Sequence, residues 1–93
     1  MIMVDELKQW PGARPPFHRG SCHLTTDGSL EELHAFAAKI GMRRAWFQDH
    51  ALAPHYDLTP SRRELAIRGG ACFVTARDQV RKRRATRERE EHK

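Results

Sequence analysis

SLEELHAFAAKIG, running from Ser29 to Gly41, reads as one amphipathic helix and frames the rest of the chain. Leu30, Leu33, Phe36, Ala37 and Ile40 recur at helical spacing and form an apolar stripe. Ser29 followed three residues later by Glu32 is the capping-box pattern, which satisfies backbone donors left open at a helix start. Gly41 ends the helix. His34 falls about 100° from the centre of the stripe at roughly 3.6 residues per turn. That puts it on the boundary between core and solvent.

Strands flank this helix. Ile2–Val4 is a short apolar run closing on Asp5, which is expected at the solvated end of an edge strand, the alternative being that it faces a site. WPGARPPFHRG, from Trp10 to Gly20, carries three prolines and two glycines and cannot sustain a ladder, so it is a loop. Trp10 and Phe17 are expected to pack it onto the body. Ser21–Thr25 is a second strand, with Cys22 and Leu24 facing one way and His23 and Thr25 the other. Met42–Phe47 is expected as the third strand.

Thr59 and Pro60 then open a second helix, because threonine caps and proline suits the first helical position. SRRELAIR follows and stops at Gly69-Gly70, and Ala71–Val74 is the last strand. Thr75-x-x-Asp78 caps a third helix. The order β-β-α-β-α-β-α predicts a small single α/β domain, a sheet of roughly four strands with two to three helices on one face. Residues 1–81 form that domain, and 82–93 form a charged helical or disordered tail in which Arg84–Glu88 and Arg87–Glu91 are spaced to pair.

A chain of 93 residues supports one modest core. No apolar run approaches the roughly 20 residues that span a bilayer. MIMVDELKQW lacks the basic start and long apolar stretch of a signal peptide. The expected location is the cytoplasm. The net charge of +5 is unevenly placed: residues 77–93 hold eight Lys/Arg against four Asp/Glu, and the first 76 hold nine against eight. A nucleic-acid reading therefore leans on the tail. Cys22 and Cys72 match no paired framework and are expected as buried, reduced thiols.

RRAWFQDHALAPHYDLTPSRR, Arg43 to Arg63, concentrates the chemistry. Thr59, Ser61, Arg62 and Arg63 gather hydroxyls and guanidiniums at a helix N-terminus, which favours anions. Trp46, Phe47 and Tyr56 offer faces for a base. The expected pocket comprises His23, His34, Trp46, His55, Tyr56, Asp57, Thr59, Arg62 and Arg63, binding a phosphate-bearing, nucleotide-like small molecule. Binding is preferred to catalysis.

The alternative is a metal-dependent phosphoesterase or nuclease using His23, His34, His50, His55, Asp49 and Asp57. No HExxH or helical histidine pair is present, so no metal is expected unless separate segments assemble its site. A third reading is an inhibitor that binds nucleic acid or protein through the basic tail. No cofactor or oligomeric state is indicated.

Ile2–Asp5, CHL at Cys22–Leu24, SLEELHAFAAKIG at Ser29–Gly41, WFQ at Trp46–Gln48, HYDLTPSRR at His55–Arg63 and GA-x-x-V at Gly70–Val74 together resemble the DUF4031 family. That is a domain of unknown function found in bacteria and their phages. The resemblance covers most of residues 1–81, and the 11–20 loop and the tail look like additions to it. It carries over no chemistry. It implies a bacterial cell or a phage-infected host, where small proteins often act as inhibitors or ligand traps.

Overall fold

The structure, a computed structural model, describes the backbone of residues 1–91 and the side chains of residues 1–85. Four strands, β1 (Ile2–Val4), β2 (Cys22–Thr26), β3 (Tyr56–Leu58) and β4 (Cys72–Phe73), make one mixed sheet in the order β3-β2-β1-β4. β1 runs antiparallel to β2 and parallel to β4, and β2 runs antiparallel to β3. The helices are α1 (Leu30–Lys39), α2 (Pro60–Arg68) and α3 (Ala76–Glu91). The expected element order is therefore found. Among the described residues no helix is long and apolar enough to cross a membrane.

Alternation along the strands divides the sheet into two chemically different faces. Ile2, Val4, Cys22, Leu24, Tyr56 and Leu58 point to one side and meet Leu33 and Ala37 of α1, Ile40 at its C-cap and Ala66 of α2. Fully burying each such aliphatic side chain contributes about 1.5–3 kcal/mol. The opposite face carries Met3, Asp5, His23, Thr25, His55 and Asp57.

α3 lies against this second face, so the helices do not all cover one side as expected. Buried Gln79 accepts the Thr25 hydroxyl hydrogen at 2.7 Å, and its amide donates to the Val74 carbonyl. Glu6 accepts the Ala76 amide at 2.7 Å in the first turn. A core confined to the other face left this second docking surface invisible to a hydrophobic pattern. α3 also continues unbroken past residue 82, where Lys82 reaches Asp27 at 3.3 Å. The expected Arg84–Glu88 and Arg87–Glu91 pairs involve side chains outside the described residues.

All three expected caps form: Ser29 Oγ accepts from the Glu32 amide, Thr59 Oγ1 from the Arg62 amide and Thr75 Oγ1 from the Asp78 amide. The third strand lies elsewhere than expected. After Gly41, at φ +82°, the Met42 amide turns back to the Ala37 carbonyl and Met42 enters the core. Arg44–Trp46 then make a 3-10 turn, and the strand falls at Tyr56–Leu58. Tyr56 and Leu58 satisfy the alternation with two core-facing side chains, whereas Arg43 through Trp46 are all exposed. The loop reading of residues 10–20 holds, with a 3-10 turn at Phe17–Arg19; Trp10 is exposed rather than packed.

Cys22 is buried, and burial pushes its thiol up to about 12. Cys72, on the two-residue edge strand β4, is exposed, contrary to expectation. A strand that short, at the sheet edge, has no layer to cover it.

Candidate metal centre

The second face brings three potential ligand residues into register. His23 and Asp57 are direct cross-strand partners in the β2–β3 ladder. Asp5, one residue past β1, continues the β1–β2 register and falls opposite His23. His55 precedes Asp57 by two, so both side chains leave the sheet on the same side. An isolated bridge between Gln48 and His55 extends the pairing and holds the returning loop beside β3.

Asp57 Oδ1 lies 3.8 Å from His23 Nε2 and 3.5 Å from His55 Nε2. One ligand atom from each of the three residues falls within 4.8 Å of the others. A tetrahedral ion with bonds of about 2.0–2.1 Å holds its ligand atoms roughly 3.3 Å apart, so small side-chain adjustments close this set around a cation.

Each ligand is oriented from behind. His23 Nδ1 meets Asp5 Oδ2 at 2.7 Å, and the His23 amide donates to Asp5 Oδ1, also at 2.7 Å. His55 Nδ1 lies 2.7 Å from the Ala53 carbonyl, which can only accept, so that nitrogen carries the proton. Gln48 donates its amide to Asp57 Oδ2, leaving Oδ1 turned toward the imidazoles. The two rings stand edge to face with centroids 4.8 Å apart. Anchoring Nδ1 on a carboxylate or carbonyl, with Nε2 left for the ion, is the recurrent support of metal-binding histidines.

The electrostatics follow from these bonds. Burial alone would raise the Asp5 carboxyl, but the His23 side-chain and amide bonds outweigh it and hold it below the usual aspartate range. The bond to Asp5 raises the His23 imidazole against partial burial. A bound cation would take the place of the Nε2 proton. Asp5 is thus a buried support of the site, not the solvated strand end that was expected.

The nine expected site residues do not share one pocket. His23, His55 and Asp57 form the trio. His34 and Tyr56 meet on the core side, Nδ1 to hydroxyl at 2.8 Å, with Phe47 edge-on to His34 at 4.6 Å between centroids. Trp46, Thr59 and Arg62 line a separate cleft of about 690 Å³ with Phe17, Phe47 and Asp57. Arg62 is committed elsewhere in part, since it donates to the Ile40 carbonyl at 2.5 Å and so closes the end of α1. Arg63 donates to the Asp5 carbonyl at 3.1 Å and lies 5.5 Å from the Phe73 ring centroid, away from the α2 N-terminus.

Sequence reasoning held Asp5 only as the lesser alternative, and missed Gln48 and the Ala53 carbonyl as supports and Arg83 as a neighbour of the site. The one local signal was His55-x-Asp57, whose spacing of two aims both side chains the same way once the segment is a strand. Placing the third strand at 42–47 hid it. The α2 N-terminus is Thr59-capped, and Thr59 Oγ1 also lies 3.2 Å from Ser61 Oγ. Fewer donors therefore remain there for an anion than the sequence implied.

No curated protein and no solved structure matches this chain. Residues 2–86 match the family model described as protein of unknown function (DUF4031), a match that runs through the 11–20 loop and well into α3. With nearly its whole length matched, the chain belongs to the DUF4031 family.

Proposed function

We propose that this protein is a metal-dependent hydrolase of phosphate esters, holding one divalent ion of the zinc class at His23 Nε2, His55 Nε2 and Asp57 Oδ1. The observation that carries the reading is the common aim of the two imidazoles. Each has Nδ1 tied to an acceptor, and each turns Nε2 toward the same oxygen of Asp57. A boundary histidine without such a role has no need of that arrangement twice over.

Two imidazoles and one carboxylate suit zinc or another first-row divalent ion. Three protein ligands leave coordination positions open, which is the habit of catalytic and not structural sites. When bound, such an ion lowers the pKa of a coordinated water to about 7 and polarises a phosphoryl oxygen. The protein's part is to fix the ligands: Asp5 fixes His23, the Ala53 carbonyl fixes His55, and Gln48 fixes Asp57. Asp5 and Thr25 are buried beneath the site.

Titration calorimetry with Zn²⁺, Mn²⁺ and Co²⁺ tests the centre. Wild type should take up one ion per chain, and His23→Ala, His55→Ala and Asp57→Ala should each abolish that binding while His34→Ala retains it. Wild type that binds no divalent ion, or binds it unchanged after these substitutions, would overturn the proposal.

A second reading, capture of a nucleotide-like ligand without turnover, is favoured by the 690 Å³ cleft, whose size falls within the roughly 300–1,000 Å³ usual for small-molecule sites. Metal-independent stabilisation by a nucleoside monophosphate, lost in Trp46→Ala but kept in His23→Ala, would favour it.

A further inference from the structure

The wall of the centre opposite the strands belongs to α3. A cavity of about 230 Å³ opens between helix and sheet, and Arg83 lines it together with His23, His50 and His55. Arg83 is half-buried, and among the described residues it makes no ion pair. Its neighbours differ: Arg81 reaches Asp78 at 4.0 Å, and Lys82 reaches Asp27 at 3.3 Å. From Arg77 to Ala85 the helix carries five basic residues against one acidic residue. Glu6, Thr25 and Asp27 tie this basic helix down beside the trio at three points.

We propose that the substrate of this centre is single-stranded nucleic acid, bound with one phosphate between the metal trio and Arg83 and with neighbouring phosphates along α3. This inference rests on the hydrolytic reading above and names its substrate. A guanidinium presents a planar fork of donors that matches phosphate oxygens. Set across a cavity from a divalent ion, it supplies the second positive group that stabilises charge gathering on a phosphoryl group under attack. A lone phosphate needs no more than that. The further arginines on the same helix suit a ligand that repeats its phosphates, because each phosphate neutralised releases counterions and adds affinity.

Two features select a single strand. The cavity is a recess between a helix and a sheet, able to admit one phosphodiester but not a duplex. Asp57 also borders the 690 Å³ cleft, where Phe17 and Trp46 offer rings on which an unpaired base stacks. Hydrolysis there forms one P–O bond from water to phosphorus and breaks the P–O bond to a sugar oxygen. That oxygen leaves with the electron pair and receives a proton from the water. The products are a phosphomonoester and a sugar hydroxyl, with no change in oxidation state.

Fluorescence anisotropy with a short labelled oligodeoxynucleotide, using the full chain with and without Zn²⁺ or Mn²⁺, tests the proposal, and gel analysis of the same mixtures reads cleavage. Wild type should bind the single strand more tightly than the matching duplex and cut it only with metal. Arg83→Ala should weaken binding about tenfold or more and lower the slope of log affinity against log salt by about 0.7, with calorimetric metal uptake unchanged. Arg83→Lys should recover part of the affinity, and Arg68→Ala, on the exposed face of α2, should behave as wild type. Wild type that takes up metal but neither binds nor cuts the strand overturns the substrate inference while leaving the centre standing. Arg83→Ala that binds as tightly as wild type, with the same salt slope, overturns it too. Failure of metal uptake in wild type instead removes the hydrolytic reading on which it rests.

Discussion

Asp5→Asn separates the support of the proposed metal centre from its ligands. Asp5 is 4% exposed, and its two oxygens take hydrogen bonds at 2.7 Å from the His23 amide and the His23 ring. Asparagine is nearly isosteric. Its carbonyl can still accept from the His23 amide, but its NH₂ group then faces His23 Nδ1. To accept that donor, the imidazole must move its proton to Nε2, which removes the lone pair aimed at Asp57. Losing support of this kind costs metal affinity about 10–100-fold. The fold loses less: one charge-assisted bond becomes neutral, worth about 1–2 kcal/mol. In a chain of this size that lowers the melting temperature by roughly 4–16 °C. Calorimetric titration with Zn²⁺, alongside thermal unfolding of the metal-free protein, reads both quantities. Asp5→Asn that binds Zn²⁺ as tightly as wild type would refute the argument from orientation, even with the ligands intact.

The remaining predictions concern other parts of the molecule. Thr25→Val leaves Gln79 Oε1 buried without its donor and should cost about 1–3 kcal/mol, with faster amide hydrogen exchange concentrated in α3. Burial, with some help from Arg44, lowers the His34 pKa from 6.5, so the native state favours the neutral ring. Its stabilising effect should be fully present above pH 6.5 and fade as the pH falls through the lowered value; chemical denaturation of wild type and His34→Gln across that range should show the gap between them narrowing on acidification. A disulfide-exchange reagent should label one thiol, Cys72, in the native chain, because Cys22 is buried with its pKa pushed up to about 12, and both on unfolding.

Much of this fold was written locally. Ser29 and Thr59 cap helices because their hydroxyls satisfy nearby amides, and Gly41 ends α1 because it tolerates φ +82°. Such effects operate over four residues or fewer and need nothing from the rest of the chain. The alternation of Cys22 and Leu24 with His23 and Thr25 was equally readable, since a strand has only two sides. Arg43 to Phe47 misled because a short apolar and aromatic run fits a strand until its neighbours are known. Met42 entered the core with Phe47 packed against it, and the ladder position went to Tyr56–Leu58.

What the sequence by itself determined is the inventory and its periodicities: three capped helices, a small sheet, and histidines and aspartates concentrated between residues 23 and 57. Only the tertiary structure decided which of them meet. His23 and Asp57 are 34 positions apart and become neighbours through the β2–β3 register, and Asp5 joins them through the β1–β2 register. Register depends on which strands pair and in which direction, and no local propensity encodes that. Likewise the third helix and the charged stretch after it show no apolar face to dock until Thr25 and Gln79 fix α3 on the second face. Their buried hydrogen bond spans 54 positions, and it brings Arg83 to the cavity that His23 and His55 share.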